Sequence, residues 1–218
     1  MDFSLFLTIV AAAIGFFVIR RFRFNPENNE IDTSSLSPSS PPSSLSSRSL
    51  STSSTPSSLS ISSASPSSSS HVWMYDVFPS FRGEDVRRDV LSHILKEFTR
   101  KGITPFNDNG IKRGESIGPK LIQGIRESKI AIILLSRNYA SSTWCLEELV
   151  EIMKCREELG QTVMAIFYKV DPSDVKKLTG DFGSVFRKTC EGKGEEDIGR
   201  WKQALEKVAT IAGYHSYN

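Results

Sequence analysis

The chain has 218 residues, 27 Lys plus Arg against 25 Asp plus Glu for a net charge of +2, and only 3 Cys and 3 His. That length holds one ordinary domain with a remainder rather than two. Interspersed, nearly balanced charge excludes a dedicated nucleic-acid binder, which carries a concentrated basic face, and three scattered cysteines exclude a disulfide-framed mini-protein.

The apolar run FSLFLTIVAAAIGFFVI at 3–19 is broken only by Ser4 and Thr8 and is just long enough to cross a bilayer as a helix. Arg20, Arg21 and Arg23 follow it, whereas Asp2 and no cation precede it. Positive residues stay on the cytosolic side, so the expected arrangement is a single-pass membrane anchor with everything C-terminal to it facing the cytosol. A cleaved signal would want the charge before the apolar run and a small-residue cleavage site after it. Residues 20–70 form the next unit, which beyond Thr33 is mostly serine punctuated by Pro38, Pro41, Pro42, Pro56 and Pro66. Such a tract buries too little apolar surface to offset chain entropy and is expected to be a disordered linker. At about 5–6 Å times the square root of its length, it gives the next domain a reach of about 35–40 Å.

From His71 the texture changes to alternating strand and helix signals. Trp73–Ser80 predicts a strand, and Glu84–Arg100 a helix with Val90, Leu91, Ile94, Leu95 and Phe98 on one face. Ile103–Asn107 predicts a short strand, Pro119–Glu127 a helix, and the continuous apolar run Ile130–Leu135 a strand covered on both faces. Leu146–Glu158 reads as a helix with Leu146, Leu149, Val150 and Met153 inward, Val163–Val170 as another buried strand, and Arg200–Ala212 as a last helix. Strands alternating with helices predict an α/β domain over 71–218, built on a five-stranded parallel sheet. Its site is expected beyond the carboxyl ends of the strands, where the strand order reverses.

Conventional catalytic signatures are absent: no Walker loop, no G-x-G-x-x-G, no H-E-x-x-H and no paired cysteines at metal spacing, so no metal site is predicted. The three histidines are far apart, and Cys145, Cys155 and Cys190 have no patterned partner. No Asn-x-Ser/Thr acceptor occurs, in keeping with a domain outside the secretory lumen.

Five strings in a fixed order remain: Tyr75-Asp76-Val77-Phe78 with Ser80-Phe81-Arg82-Gly83-Glu84-Asp85; Arg113-Gly114; Ser136-Arg137-Asn138-Tyr139-Ala140-Ser141-Ser142; Trp144-Cys145-Leu146; and Val170-Asp171-Pro172-Ser173. Together they resemble the TIR (Toll/interleukin-1 receptor) domain of plant intracellular immune proteins over residues 71–217. With no nucleotide-binding or leucine-rich-repeat portion following, the chain resembles a TIR-only member. The resemblance implies a flavodoxin-like fold and an enzyme of the NAD+ glycohydrolase (ADP-ribosyl cyclase/hydrolase) class, which cleaves the nicotinamide–ribose bond of NAD+ on self-association and signals in plant defence. NAD+ is then substrate, and no cofactor is implied.

By the same resemblance the catalytic glutamate falls on Glu148, while Glu147 occupies a position that varies. Phe81, Arg82 and Gly83 line the nucleotide pocket. Lys112, in the loop Asp108–Ile117, gates it, and Trp144 contacts base or ribose unless it is the packing anchor of its helix. Ser92 and His93 on the first helix, and Gly180, match two self-association interfaces. The residues alone read more blandly. The wheel turns Glu148 away from the buried stripe, a solvated-face pattern, although a helix starting near Leu146 puts it in the first turn, where the dipole favours an ionised carboxylate. Glu84 and Asp85 read equally as acidic residues opening a helix.

Two departures stand out. Pro79 replaces the family's usual leucine and removes a backbone donor from a strand expected to be central. The chain also stops at Asn218, just after a segment resembling the final strand, so the final helix is expected to be absent. A non-catalytic TIR adaptor or decoy that binds TIR-type immune receptors is therefore the alternative to the enzyme. A receiver or flavin module is disfavoured, because no acceptor-aspartate cluster or flavin loop is apparent.

Overall fold

The computed structural model describes residues 71–107 and 118–216, together with Ala12 and Phe16. The expected anchor at 3–19, the linker at 20–70 and the loop 108–117 that carries Lys112 lie outside the described residues, apart from Ala12 and Phe16. Among the described residues no helix is long and apolar enough to cross a membrane.

Strand β1 (Tyr75–Phe81) leads into a helical stretch made of α1 (Gly83–Val86), a π-helical turn (Arg87–Leu91) and α2 (Ser92–Arg100). Helix α3 (Pro119–Arg126), strand β2 (Ser128–Ser136), a 3₁₀ turn (Tyr139–Ser141), α4 (Thr143–Glu158) and β3 (Thr162–Tyr168) follow. Helices α5 (Pro172–Lys177), α6 (Gly180–Cys190) and α7 (Glu195–Ala209) precede the two-residue strand β4 (Tyr214–His215). The strands pair in parallel in the order β1-β2-β3-β4. Side chains alternate across β2. Ile130, Ile132 and Leu134 pack with Val86, Val90, Ile94 and Phe98 on one face, while Ala131, Ile133 and Leu135 pack with α3, α4 and α7 on the other. This two-sided burial is why β2 reads as an unbroken apolar run.

Among the described residues the sheet has four strands rather than the expected five, and a proline in β1 explains the difference. Segment 103–107 does lie beside β1, on the edge away from β2, where the Asp76 amide donates to the Thr104 carbonyl at 2.9 Å, but the ladder there is a single parallel bridge, Val77 to Pro105. There the Phe106 amide donates to the Val77 carbonyl at 2.7 Å. The next bond of a parallel ladder would run from the residue 79 amide to the residue 106 carbonyl, and proline has no proton to give. Pairing of β1 with β2 continues through Pro79–Ile132, because the Val77 carbonyl faces segment 103–107 and the alternation of the strand turns the nitrogen of residue 79 to that same outer edge. The departure at position 79 thus leaves the inner ladder intact and stops the outer one.

The helix expected over Glu84–Arg100 forms, with a widened turn that buries the consecutive residues Val90 and Leu91. Helices α5 and α6 were not expected, although the first carries a readable start: the Asp171 carboxylate accepts from the Ser173 amide at 2.7 Å, and Pro172 takes the first helical position. Gly180 opens α6 at φ +58°, where an added Cβ would meet the Asp174 carboxylate at 3.0 Å. Backbone conformation alone therefore accounts for a glycine there.

Candidate active site

Counting segment 103–107, the spatial order runs from that segment through β1 to β2, so the chain reverses direction across the sheet at β1. A cavity of about 320 Å³ opens at the carboxyl end of β1, where a doubly wound sheet places its ligand. Its volume is near the lower bound of the roughly 300–1,000 Å³ usual for small-molecule sites.

Strand β1 and the turn after it supply Pro79, Phe81, Arg82 and Gly83 to the wall, the start of α4 supplies Trp144 and Glu148, and Phe106 closes one side. Phe106 is held by its stack on Phe78 (centroids 5.3 Å apart) and fits because position 124 of α3 is glycine, where any Cβ would collide with the ring. Arg82 pairs with Glu84 at 2.8 Å, but its Nε is buried without a hydrogen-bond partner among the described residues. A buried donor left unpaired is costly, so this atom marks a place for an acceptor.

Glu148 is only 7% exposed, not on the solvated face that the wheel suggested. The apolar stripe used in that wheel omitted Cys145, Ile152 and Cys155, which with Glu148 form a second buried stripe at spacings of three, four and three. Helix α4 also begins earlier than expected. The Ser142 hydroxyl caps it by accepting from the Cys145 amide at 3.3 Å, and Glu148 sits in the second turn, beyond the strongest reach of the helix dipole. Hydrogen bonds hold the carboxylate instead: Trp144 Nε1 donates to Oε1 at 2.7 Å and Ser80 Oγ donates to Oε2 at 2.6 Å. The indole nitrogen of Trp144 is thus committed to Glu148, one helical turn away.

Behind Ser80 lies the fully buried Tyr139, whose hydroxyl is 2.8 Å from Ser80 Oγ and 3.0 Å from the Cys145 carbonyl. Burial, then the neighbouring Cys145 thiol and Glu148 carboxyl, push the Tyr139 phenol well above its ordinary value, against a smaller opposite effect of the Ser80 bond. The phenol therefore keeps its proton. Ser80, Tyr139, Phe106 and Pro79 escaped the sequence reading as site residues. The available signal was Ser80 itself, a hydroxyl on the same strand face as the buried Phe78.

The remaining expected residues fall elsewhere. Glu147 turns away from the cavity and accepts from Trp201 Nε1 at 2.8 Å and Arg200 at 3.2 Å, fastening α4 to α7. Asp85 accepts from Ser136 Oγ at 2.6 Å and from the amide and side chain of Asn138, fastening α1 to the end of β2. Ser92 and His93 lie in the first turn of α2, His93 exposed, and Gly180 begins α6; none lines the cavity. Lys112 lies outside the described residues.

A parallel sheet covered on both faces, with a cavity at the reversal of strand order and a buried carboxylate in its wall, defines a doubly wound α/β domain with a cavity of small-molecule size at its switch point. The chain belongs to the TIR domain family, whose profile matches residues 74–218. It is 61% identical over 203 residues to the disease resistance protein TAO1 of Arabidopsis thaliana, a match covering 93% of this chain and 15% of that protein. The probable disease resistance protein RPP1 of Arabidopsis thaliana is 54% identical over 200 residues, covering 92% and 15%. These likenesses extend into the residues before the TIR domain, and the chain spans about 15% of the length of either relative. Among solved structures, the TIR domains of the activated Roq1 resistosome, which directly recognizes the pathogen effector XopQ, align with a TM-score of 0.60. Identity is 44%, over 66% of this chain and 89% of that one.

Proposed function

We propose that this protein signals in plant defence by hydrolysing NAD+ at the nicotinamide–ribose bond when its TIR domains self-associate, with Glu148 as the catalytic carboxylate. The observation that carries the reading is the buried Glu148 side chain, held by two donors in the wall of a cavity at the switch point. Breaking the N-glycosidic bond develops positive charge on the ribose, and a fixed anion beside it lowers the barrier. Nicotinamide leaves as a neutral ring from a cationic one, so no acid is needed to protonate it. Phe81, Phe106 and Trp144 supply aromatic surface to the cationic ring. The unpaired Arg82 Nε suits a phosphate oxygen of the dinucleotide. Gly83 lets backbone approach it. Lys112 is assigned the gating of the pocket.

Self-association is assigned to the Ser92-His93 and Gly180 surfaces, and the apolar run 3–19 to a membrane, with the TIR domain facing the cytosol and concentrated on that surface. Partners are then NAD+, further copies of the chain and TIR-type immune receptors. One observation favours the rival reading of a non-catalytic adaptor or decoy: both Glu148 oxygens are already engaged within the protein. Nicotinamide release from NAD+ by the purified full chain on liposomes, wild type beside Glu148→Ala, decides between them. Release from wild type alone supports the enzyme; release from neither, with both folded, supports the adaptor.

A further inference from the structure

We infer that Ser80 and Tyr139 are positioning residues for Glu148, forming a hydroxyl relay that fixes the carboxylate in the cavity wall. The catalytic consequence rests on the NAD+-cleaving reading above; the geometric claim stands without it.

Four oxygens lie in a row: the Cys145 carbonyl, Tyr139 Oη at 3.0 Å from it, Ser80 Oγ at 2.8 Å from the phenol, and Glu148 Oε2 at 2.6 Å from the serine. With the glutamate ionised, the row contains three contacts and two protons, one on each hydroxyl. The serine proton goes to the glutamate, where the acceptor is charged and the contact shortest. That leaves the phenol as the group that donates to Ser80, sharing its proton with the Cys145 carbonyl. Because burial keeps Tyr139 protonated, it can only reinforce the serine as a donor, and hydrogen bonds in series strengthen one another.

The relay joins three separate elements: Ser80 is the penultimate residue of β1, Tyr139 opens the 3₁₀ turn after β2, and Glu148 lies on α4. Trp144 holds the other carboxylate oxygen from within α4. Two donors on different elements therefore fix the carboxylate plane, which one donor would leave free to turn. Ser80 and Tyr139 are fully buried and are absent from the cavity lining, so they act through Glu148 and not on a ligand.

The test uses the indole-¹⁵N-labelled full chain, whose three tryptophans give three resolvable N–H signals, that of Trp144 being assigned with Trp144→Phe. In Ser80→Ala the Trp144 signal shifts while those of Trp73 and Trp201 stay in place. Nicotinamide release then loses about 10- to 100-fold in kcat with KM unchanged. Ser80→Thr, which keeps the hydroxyl, restores both the signal and kcat, and Tyr139→Phe shifts the same signal by a smaller amount. A Trp144 signal at its wild-type position in both Ser80→Ala and Tyr139→Phe overturns the inference. Should Ser80→Ala move all three signals, Tyr139→Phe alone decides. If the wild-type chain releases no nicotinamide, the enzymatic reading fails, and the indole signals still decide the relay.

Discussion

Glu147 and Glu148 diverge because neighbouring residues of a helix point about 100° apart; one reaches Trp201 and Arg200 on α7, the other Ser80 and Trp144 at the cavity. Their substitutions should separate accordingly. Glu147→Ala loses about 1–2 kcal/mol of stability in chemical denaturation and keeps nicotinamide release, whereas Glu148→Gln keeps the fold and loses release. The thiol of Cys155 makes a third prediction at this scale. Burial, with Glu151 beside it, pushes that thiol up to about 12 from an ordinary value of 9.0. The native state then holds this proton at a pH where the unfolded chain has released it. The stabilisation is complete below pH about 9 and lost as pH rises toward about 12. Denaturation midpoints in this window should fall less steeply with pH in Cys155→Ala than in wild type, while at neutral pH the native Cys155 resists alkylation until the protein is unfolded.

At the scale of elements, the outer edge of the sheet stops where a proline meets it. Pro79→Leu returns the missing amide, and the bond from residue 79 to the Phe106 carbonyl extends the single Val77–Pro105 bridge toward a fifth strand. Hydrogen exchange should then show a slowly exchanging amide at position 79; fast exchange there would refute the account of the truncated strand. The helical stretch after β1 depends on Asp85, which gathers three hydrogen bonds from Ser136 and Asn138. Asp85→Ala should cost about 2 kcal/mol, read by urea denaturation, because it leaves the hydroxyl of the buried Ser136 without its acceptor. This effect reaches the cavity through structure, since α1 begins at Gly83 in the cavity wall.

For the molecule as a whole, the proposed activity depends on how many copies meet. Tethering raises effective concentration without any new contact, so nicotinamide released per molecule should rise with surface density on liposomes. His93→Ala, on the exposed start of α2, should flatten that rise and leave the Trp144 indole signal unchanged. A density dependence that survives His93→Ala would place the working interface elsewhere.

Local order determined what was legible in the sequence alone. Apolar periodicity gave the α/β alternation and the doubly covered β2, because each depends on residues a few places apart, and the rule for doubly wound sheets then pointed to the strand ends where the cavity opens. The family strings located Glu148, Phe81, Arg82, Gly83 and Trp144, and the structure places all five on one cavity. Only the tertiary structure decided their company. The wheel placed Glu148 in solvent because it scored one helix against one face, whereas α4 meets the sheet on one side and α3 and α7 on others. Ser80 and Tyr139 lie 68 and 9 residues from Glu148, and no local pattern signals that a strand end and a 3₁₀ turn will converge on one carboxylate. The fifth strand failed for a related reason: a proline matters only through the edge it faces, and that edge is set by pairing between distant segments.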